Sequence, residues 1–266
     1  MSRIEDALAK AAGMQAGVQS KGNRAAVAGI VREPMGESTS VGGARLAEET
    51  MVVINAPLSP MAEEYRKLKE ALVKMTKRER FDNLIAVTSS VAGEGKSMTA
   101  INLAVSLAGE YDHTVLLVDA DLRRPVVHKY LGLGAGKGLS DCMREGLDVG
   151  ELLVKTGIGK LSVLPAGTPT PNPVELFSSD AMRSLFRELK IRYGDRYIIV
   201  DTPPALPFAE TRSIASIVDG VILVVKEGMP SLDQIEEAIE ALDHKVLGIV
   251  YNGARLQSRT SYYYAE

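Results

Sequence analysis

The sequence predicts a doubly wound α/β domain on a mostly parallel sheet, and three observations carry that expectation. Six short apolar runs are rich in β-branched residues and do not alternate with polar ones: LIAV (84–87), VLLVDAD (115–121), LSVL (161–164), YIIVD (197–201), GVILVV (220–225) and VLGIVYN (246–252). Strands covered by helices on both faces read this way. Helical stripes separate them: Leu232, Ile235, Ile239 and Leu242 recur at helical spacing behind Ser231, as do Tyr65, Leu68, Leu72 and Met75 behind Ser59 and Pro60. The third observation is a glycine-rich loop joining the first strand to a helix-forming run.

Each element follows in chain order. Ile4, Ala7, Leu8, Ala11 and Ala12 suggest a short terminal helix, and the Gly-, Ala-, Ser- and Pro-rich stretch after it reads as a flexible linker, so 1–58 forms an appendage. Within it, MVVIN (51–55) is expected to add an edge strand. The globular domain spans 59–253, and 254–266 forms a tail without apolar period that is expected to be mobile.

Composition narrows the function classes. With 45% hydrophobic residues, 24% charged residues and a net charge of −3, the chain of 266 residues is an ordinary globular one. No global basic field points to nucleic acid. The single cysteine, Cys142, excludes an internal disulfide and fits a reducing compartment. His113, His128 and His244 lack metal-ligand spacing. No apolar run approaches the ~20 residues that span a bilayer, and MSRIEDALAKA lacks the continuous apolar core of a secretory signal. The expected location is cytoplasmic, with recruitment to the inner face of the plasma membrane only through a partner.

The chemistry begins at Ser90-Val-Ala-Gly-Glu-Gly-Lys-Ser97, between the strand NLIAVTSS and the helical run MTAINLAVSLAG. Strand, glycine loop, Lys-Ser and helix are the context of a phosphate-binding P-loop. Gly93 and Gly95 let successive N–H groups face phosphate oxygens. The helix N-terminus adds partial positive charge. Lys96 is expected on the β- and γ-phosphates, and the Ser97 hydroxyl on magnesium. Ser90 stands where the pattern wants glycine.

Three acids follow hydrophobic strands. Asp119 and Asp121 lie two residues apart in VLLVDAD, a spacing that puts strand side chains on one side. Asp201 closes YIIVD ahead of Thr202-Pro203-Pro204. Together they are expected in the crevice at the carboxyl ends of the strands, where such sheets bind ligands and where acids hold magnesium.

These residues resemble the bacterial tyrosine autokinases of exopolysaccharide and capsule loci, from about Pro60 to Gly253. AGEGKS is similar to that family's Walker A motif, with Ala92 in place of proline; VLLVDADLRRP is similar to its Walker A′, YIIVDTPP to its Walker B, and GTPTPNPVELFSS (167–179) to a further family stretch. The resemblance implies a P-loop NTPase fold of the deviant-Walker, MinD-like type and a protein-tyrosine kinase using ATP and Mg2+. It implies Gly93, Glu94, Gly95, Lys96, Ser97 and Met98 as nucleotide contacts, with Asn252 near the base. Lys96, Asp119 (as base) and Asp121 are the implied catalytic set, and Ser97, Asp121 and Asp201 the metal set. Glu63, Arg66 and Lys69 match the spacing of a ring-assembly motif, with lysine replacing a planar, bidentate arginine at the third position. The family subtype further implies a membrane polysaccharide co-polymerase as activator and a cognate tyrosine phosphatase.

Tyr262, Tyr263 and Tyr264 sit consecutively near the end of the chain. Beside such a nucleotide site, they are the expected phosphoryl acceptors, in cis or in a neighbouring copy. Two alternatives compete. A partitioning-type ATPase would carry a signature lysine where this chain has Val91. A non-catalytic, nucleotide-dependent assembly module would leave the tyrosines unmodified.

Overall fold

A computed structural model describes residues 51–77, 81–191 and 195–254. The tyrosine cluster at 262–264 and the N-terminal helix and linker before Met51 lie outside the described residues.

Seven strands form one sheet in the order β3-β4-β2-β5-β1-β6-β7. They are β1 (Leu84–Ser89), β2 (Thr114–Asp119), β3 (Val154–Lys155), β4 (Leu161–Leu164), β5 (Arg196–Asp201), β6 (Gly220–Lys226) and β7 (Val246–Asn252). All neighbours pair in parallel except β3, which runs antiparallel to β4 at one edge. The sheet is therefore doubly wound and mostly parallel, as the apolar runs predict. Side chains of the central strands alternate between two buried layers. Leu84 and Ala86 enter one with Phe177, Phe186 and Ile214, while Ile85 and Val87 enter the other with Ile101, Leu103 and Leu107. Both faces are dry, which is why these runs show no polar alternation.

Three expectations are corrected. Val52–Asn55 is one helical turn (α1), not an edge strand. Its Val53 N–H donates to Asn102 Oδ1 at 3.3 Å, and Met51 and Val53 pack against the second layer, so tertiary contacts override β-branched propensity. Strand β7 is not buried on both faces: it lies at the edge opposite β3, with Ile249 and Tyr251 exposed. Finally, β2 ends at Asp119, so Asp121 lies beyond the strand and the same-side argument does not place it.

Helix α2 (Pro60–Thr76) starts where its residues dictate, with Ser59 Oγ accepting from the Ala62 N–H at 3.2 Å and proline in the first turn. Ala62, Tyr65, Leu72 and Thr76 form its buried stripe. Helix α3 (Lys96–Ala108) is buried nearly all round, as its Ala- and Leu-rich sequence allows.

Candidate functional site: the loop between the first strand and helix α3

The loop after β1 is shaped by two glycines and pinned from the side. Gly93 and Gly95 have φ of 91° and 96°, a region open to glycine and strained for other residues. Glu94 is buried, and its carboxylate faces inward. Oε2 accepts from the Val91 N–H at 2.7 Å and Oε1 from the Lys226 N–H at 3.3 Å. Asn252 Nδ2 donates to the Glu94 carbonyl at 2.7 Å. A Cβ added to Gly95 would meet Asn252 Nδ2 at 2.1 Å. The ends of β6 and β7 thus clamp the loop from below. Among the described residues, the N–H groups from Gly93 to Ser97 donate to no protein group. Several free amides at the start of a thirteen-residue helix make an anion cradle.

Facing the cradle, three aspartates surround one lysine. Asp119 and Asp201 are register partners at the ends of adjacent strands β2 and β5, so their carboxylates are neighbours. Lys96 Nζ donates to Asp121 Oδ2 at 2.8 Å, to Ser97 Oγ at 3.0 Å and to Asp201 Oδ1 at 3.5 Å. Asp121 reaches this position through a turn: its N–H donates to Asp119 Oδ1 at 3.3 Å, and its Oδ1 accepts from the Arg124 N–H at 3.0 Å. Asp119 Oδ2 accepts from the Val127 N–H at 3.2 Å.

Burial decides the electrostatics. It pushes Asp119 well above the usual carboxylate range, with the Asp201 and Asp121 charges adding and Lys96 and the Val127 N–H offsetting in part. Asp201 is raised by burial and by Asp121, against the pull of Lys96. For Lys96, burial works to lower the pKa, but Asp201, Asp121 and Asp119 outweigh it and hold the ammonium above its usual value. One oxygen remains uncommitted: the buried Asp201 Oδ2 has no hydrogen-bond partner. An orphaned carboxylate oxygen beside a serine hydroxyl and a row of free amides fits a phosphate-bound divalent cation. Among the described residues, no cluster of three His, Cys, Asp or Glu side chains forms a cation nest by itself.

The structure thus brings together Gly93, Gly95, Lys96, Ser97, Asp119, Asp121, Asp201 and Asn252. It turns the Glu94 side chain away from the cradle, leaving only its backbone facing it. Met98 sits half-buried in the first turn of α3, its carbonyl accepting from Asn102. Glu63 and Arg66 pair with each other on the outer side of α2, where Arg66 also reaches the Pro57 carbonyl. Lys69 instead pairs with Glu110, beyond the end of α3.

Two contributors escape sequence reasoning. Arg123, inside the VLLVDADLRRP run, pairs with the fully buried Glu210 at the start of the helix Ala209–Ile217 and lies 4.7 Å over the Phe208 ring. This bond ties the loop carrying Asp121 to the segment that follows Asp201. The signal in the sequence was only an arginine two residues after Asp121; nothing local marks Glu210 as its partner. The second is Thr88, whose hydroxyl donates to the Pro203 carbonyl at 2.7 Å and holds the segment after Asp201 against β1.

A family model described as an AAA domain matches residues 82–247. The tyrosine-protein kinase YwqD of Bacillus subtilis (strain 168) is 34% identical over 225 residues, covering 84% of this chain and 93% of the relative. Among solved structures, the chimerical protein CapA2B2 matches with a TM-score of 0.70 at 30% identity, covering 76% of this chain and 89% of that one. The kinase domain of the Escherichia coli tyrosine kinase ETK matches with a TM-score of 0.72 at 26% identity, covering 81% of this chain and 84% of that one.

Proposed function

The chain belongs to the family of bacterial tyrosine-protein kinases, and from that premise we propose that it phosphorylates its own Tyr262, Tyr263 and Tyr264 with Mg-ATP and so regulates exopolysaccharide polymerisation and export. The observation that carries the reading is the half-buried Lys96, held between Asp121 and Asp201 in front of the free amides of the loop. A γ-phosphoryl group in the cradle would draw Lys96 onto its oxygens. Ser97 and Asp201 would hold the magnesium ion, whose chemistry is to neutralise charge on the transferring group.

In the transfer, the phenolic oxygen forms a bond to the γ-phosphorus as the bond to the β,γ-bridging oxygen breaks, giving ADP. The phenolic proton goes to a carboxylate, since a tyrosine of pKa near ~10 is a weak nucleophile at neutral pH. The geometry favours dividing the two roles of the VLLVDAD aspartates. Asp119 holds the loop through backbone N–H bonds to both oxygens, and Asp121, whose Oδ2 faces Lys96, takes the proton.

Assembly and recruitment belong to the same proposal. Exposed Met61, Ile249 and Tyr251 line a groove of about 510 Å3 between α2 and β7, and the same helix carries the Glu63–Arg66 pair. We assign that face to a neighbouring copy in a ring. A membrane protein of the polysaccharide co-polymerase class would activate the ring and recruit it to the membrane from the cytoplasm, and a tyrosine phosphatase would reset it. Among the described residues, no helix is long and apolar enough to cross a membrane.

The test incubates the purified chain with Mg-ATP, with and without the cytoplasmic tail of a candidate activator, and maps phosphate by mass spectrometry. Phosphate on Tyr262–Tyr264 that disappears in Lys96→Met supports the reading. ATP hydrolysis with no phosphotyrosine under either condition sinks it and leaves the assembly module.

A further inference from the structure

At the opposite end of the sheet from the phosphate loop lies a second crevice, of about 590 Å3, at the amino ends of β1, β6 and β7. Its floor is the start of β1 at Leu84 and the turn from Val218 to Asp219 ahead of β6. Four cations line it: Arg183, Arg187 and Lys190 from the helix Asp180–Ile191, and Lys245 from the turn before β7. The one acid among them is Asp219, which pairs with Lys190 and accepts the Leu84 N–H at 3.1 Å. Lys245 Nζ is held by the Ser216 and Val218 carbonyls at 3.1 Å each, neutral acceptors that leave its charge in place. Among the described residues, Arg183 reaches only the fully exposed Asp180, at 3.8 Å. Arg187 has no partner among the described residues. The crevice therefore gathers four positive charges against one negative, in a chain whose net charge is −3.

Arg183 and Arg187 lie four residues apart on that helix, so their guanidinium groups project from the same side of it. Planar guanidinium forks bind phosphate oxygens in pairs, which lysine does not match. The wall is concave, which fits a flexible phosphorylated segment better than the flat surface of a bilayer.

The chain itself carries three consecutive tyrosines, Tyr262 to Tyr264, that phosphorylation would turn into such a ligand. We propose that this crevice is a phosphotyrosine site that receives the phosphorylated Tyr262–Tyr264 segment of this chain, a step that rests on the autokinase reading above. Reach and charge both support it. The segment leaves the fold at the far end of β7, whose seven residues cover about 23 Å at ~3.3 Å each. The ten residues from Gly253 to Tyr262 extend to about 33 Å, enough to run back along the open edge of β7 to Lys245. Unmodified, residues 254–266 carry Arg255 and Arg259 against Glu266 and have no attraction to a basic wall. Each phosphate adds roughly −1.5 to −2 charges, so three turn the segment strongly acidic. Docking would then withdraw a spent acceptor from the nucleotide end of the sheet.

The test uses the full chain with Tyr262→Phe, Tyr263→Phe and Tyr264→Phe, which cannot fill its own crevice with phosphate. It is titrated by fluorescence anisotropy with a synthetic peptide of residues 254–266, either triply phosphorylated or unmodified. The phosphorylated peptide should bind at least tenfold more tightly. That binding should weaken at least tenfold in Arg183→Ala/Arg187→Ala and in Arg187→Glu, and should persist in excess Mg-ATP and in Lys96→Met. Circular dichroism confirms that each variant is folded. Equal binding of the two peptides overturns the proposal, as does phosphopeptide binding indifferent to Arg187→Glu. Capture by anionic phospholipid vesicles that needs Arg183 and Arg187, with the phosphopeptide ignored, overturns it in favour of a membrane surface. Because the peptide is phosphorylated chemically, the crevice is read whether or not the chain phosphorylates itself.

Discussion

At the carboxyl ends of the strands three aspartates crowd one lysine out of water, whereas at the amino ends four cations surround one aspartate in an open crevice. The same sheet holds both, and its cost differs between them. Taking a charge from water into the interior costs several kcal/mol per ion, and only well-placed partners offset it. At the carboxyl end the partners are incomplete: Asp119 and Asp201 are both raised by burial, and Asp201 Oδ2 is left without a hydrogen bond. At the amino end the arginines keep their water and destabilise little. The difference teaches where this chain holds strain. It accumulates where a polyphosphate and a cation would relieve it, and it is absent where an anion would merely dock.

Changes at the carboxyl end should therefore be costly, and changes at the amino end cheap. Lys96→Met should lower Mg-ATP-dependent tyrosine phosphorylation by about 10²–10³-fold, the usual consequence of losing one group that stabilises charge in a transition state. Single-turnover phosphotransfer measures it. Arg123→Ala strands the buried Glu210 carboxylate and frees the loop of Asp121. Allowing for the solvent that already reaches Arg123, it should cost about 1–3 kcal/mol in urea unfolding. Gly95→Ala meets both a positive φ and the Asn252 amide. It should cost about 1–3 kcal/mol by the same method and weaken nucleotide binding measured by calorimetry. Arg187→Ala, by contrast, should move the thermal midpoint by less than about 2 °C.

Much of this division was legible in the sequence. Lys96, Ser97, Asp121 and Asp201 could be named because a phosphate loop and its acids are local patterns with fixed spacing. The two-layer core was legible because a parallel sheet needs apolar residues on both faces. What the sequence left open is long-range. Glu94 turns inward because the Lys226 amide, contributed by β6, waits there. The edge position of β7 follows from strand order, which no local run reports. MVVIN reads as a strand until Asn102 offers its side chain to the Val53 N–H. The two VLLVDAD aspartates look equivalent until a turn gives one to the backbone and the other to Lys96. The basic crevice is assembled from the helix Asp180–Ile191 and from two later turns, at Val218–Asp219 and at Lys245, so no motif could announce it.

Stored strain also predicts a pH dependence. Asp119 and Asp201 bind their protons more tightly folded than unfolded. Their protonated forms stabilise the ligand-free fold fully below the unfolded carboxylate value of ~3.9, and that stability is lost as pH rises through the higher folded values. The most direct test of the account is the thermal midpoint of the wild-type chain and of Asp201→Asn, each with and without Mg-ATP at neutral pH. Without ligand, Asp201→Asn should melt higher, by about 2–4 °C for each kcal/mol of relieved strain. With Mg-ATP the wild type should gain several degrees and the variant almost nothing. A variant that melts lower without ligand, and gains as much as the wild type with it, would contradict the account.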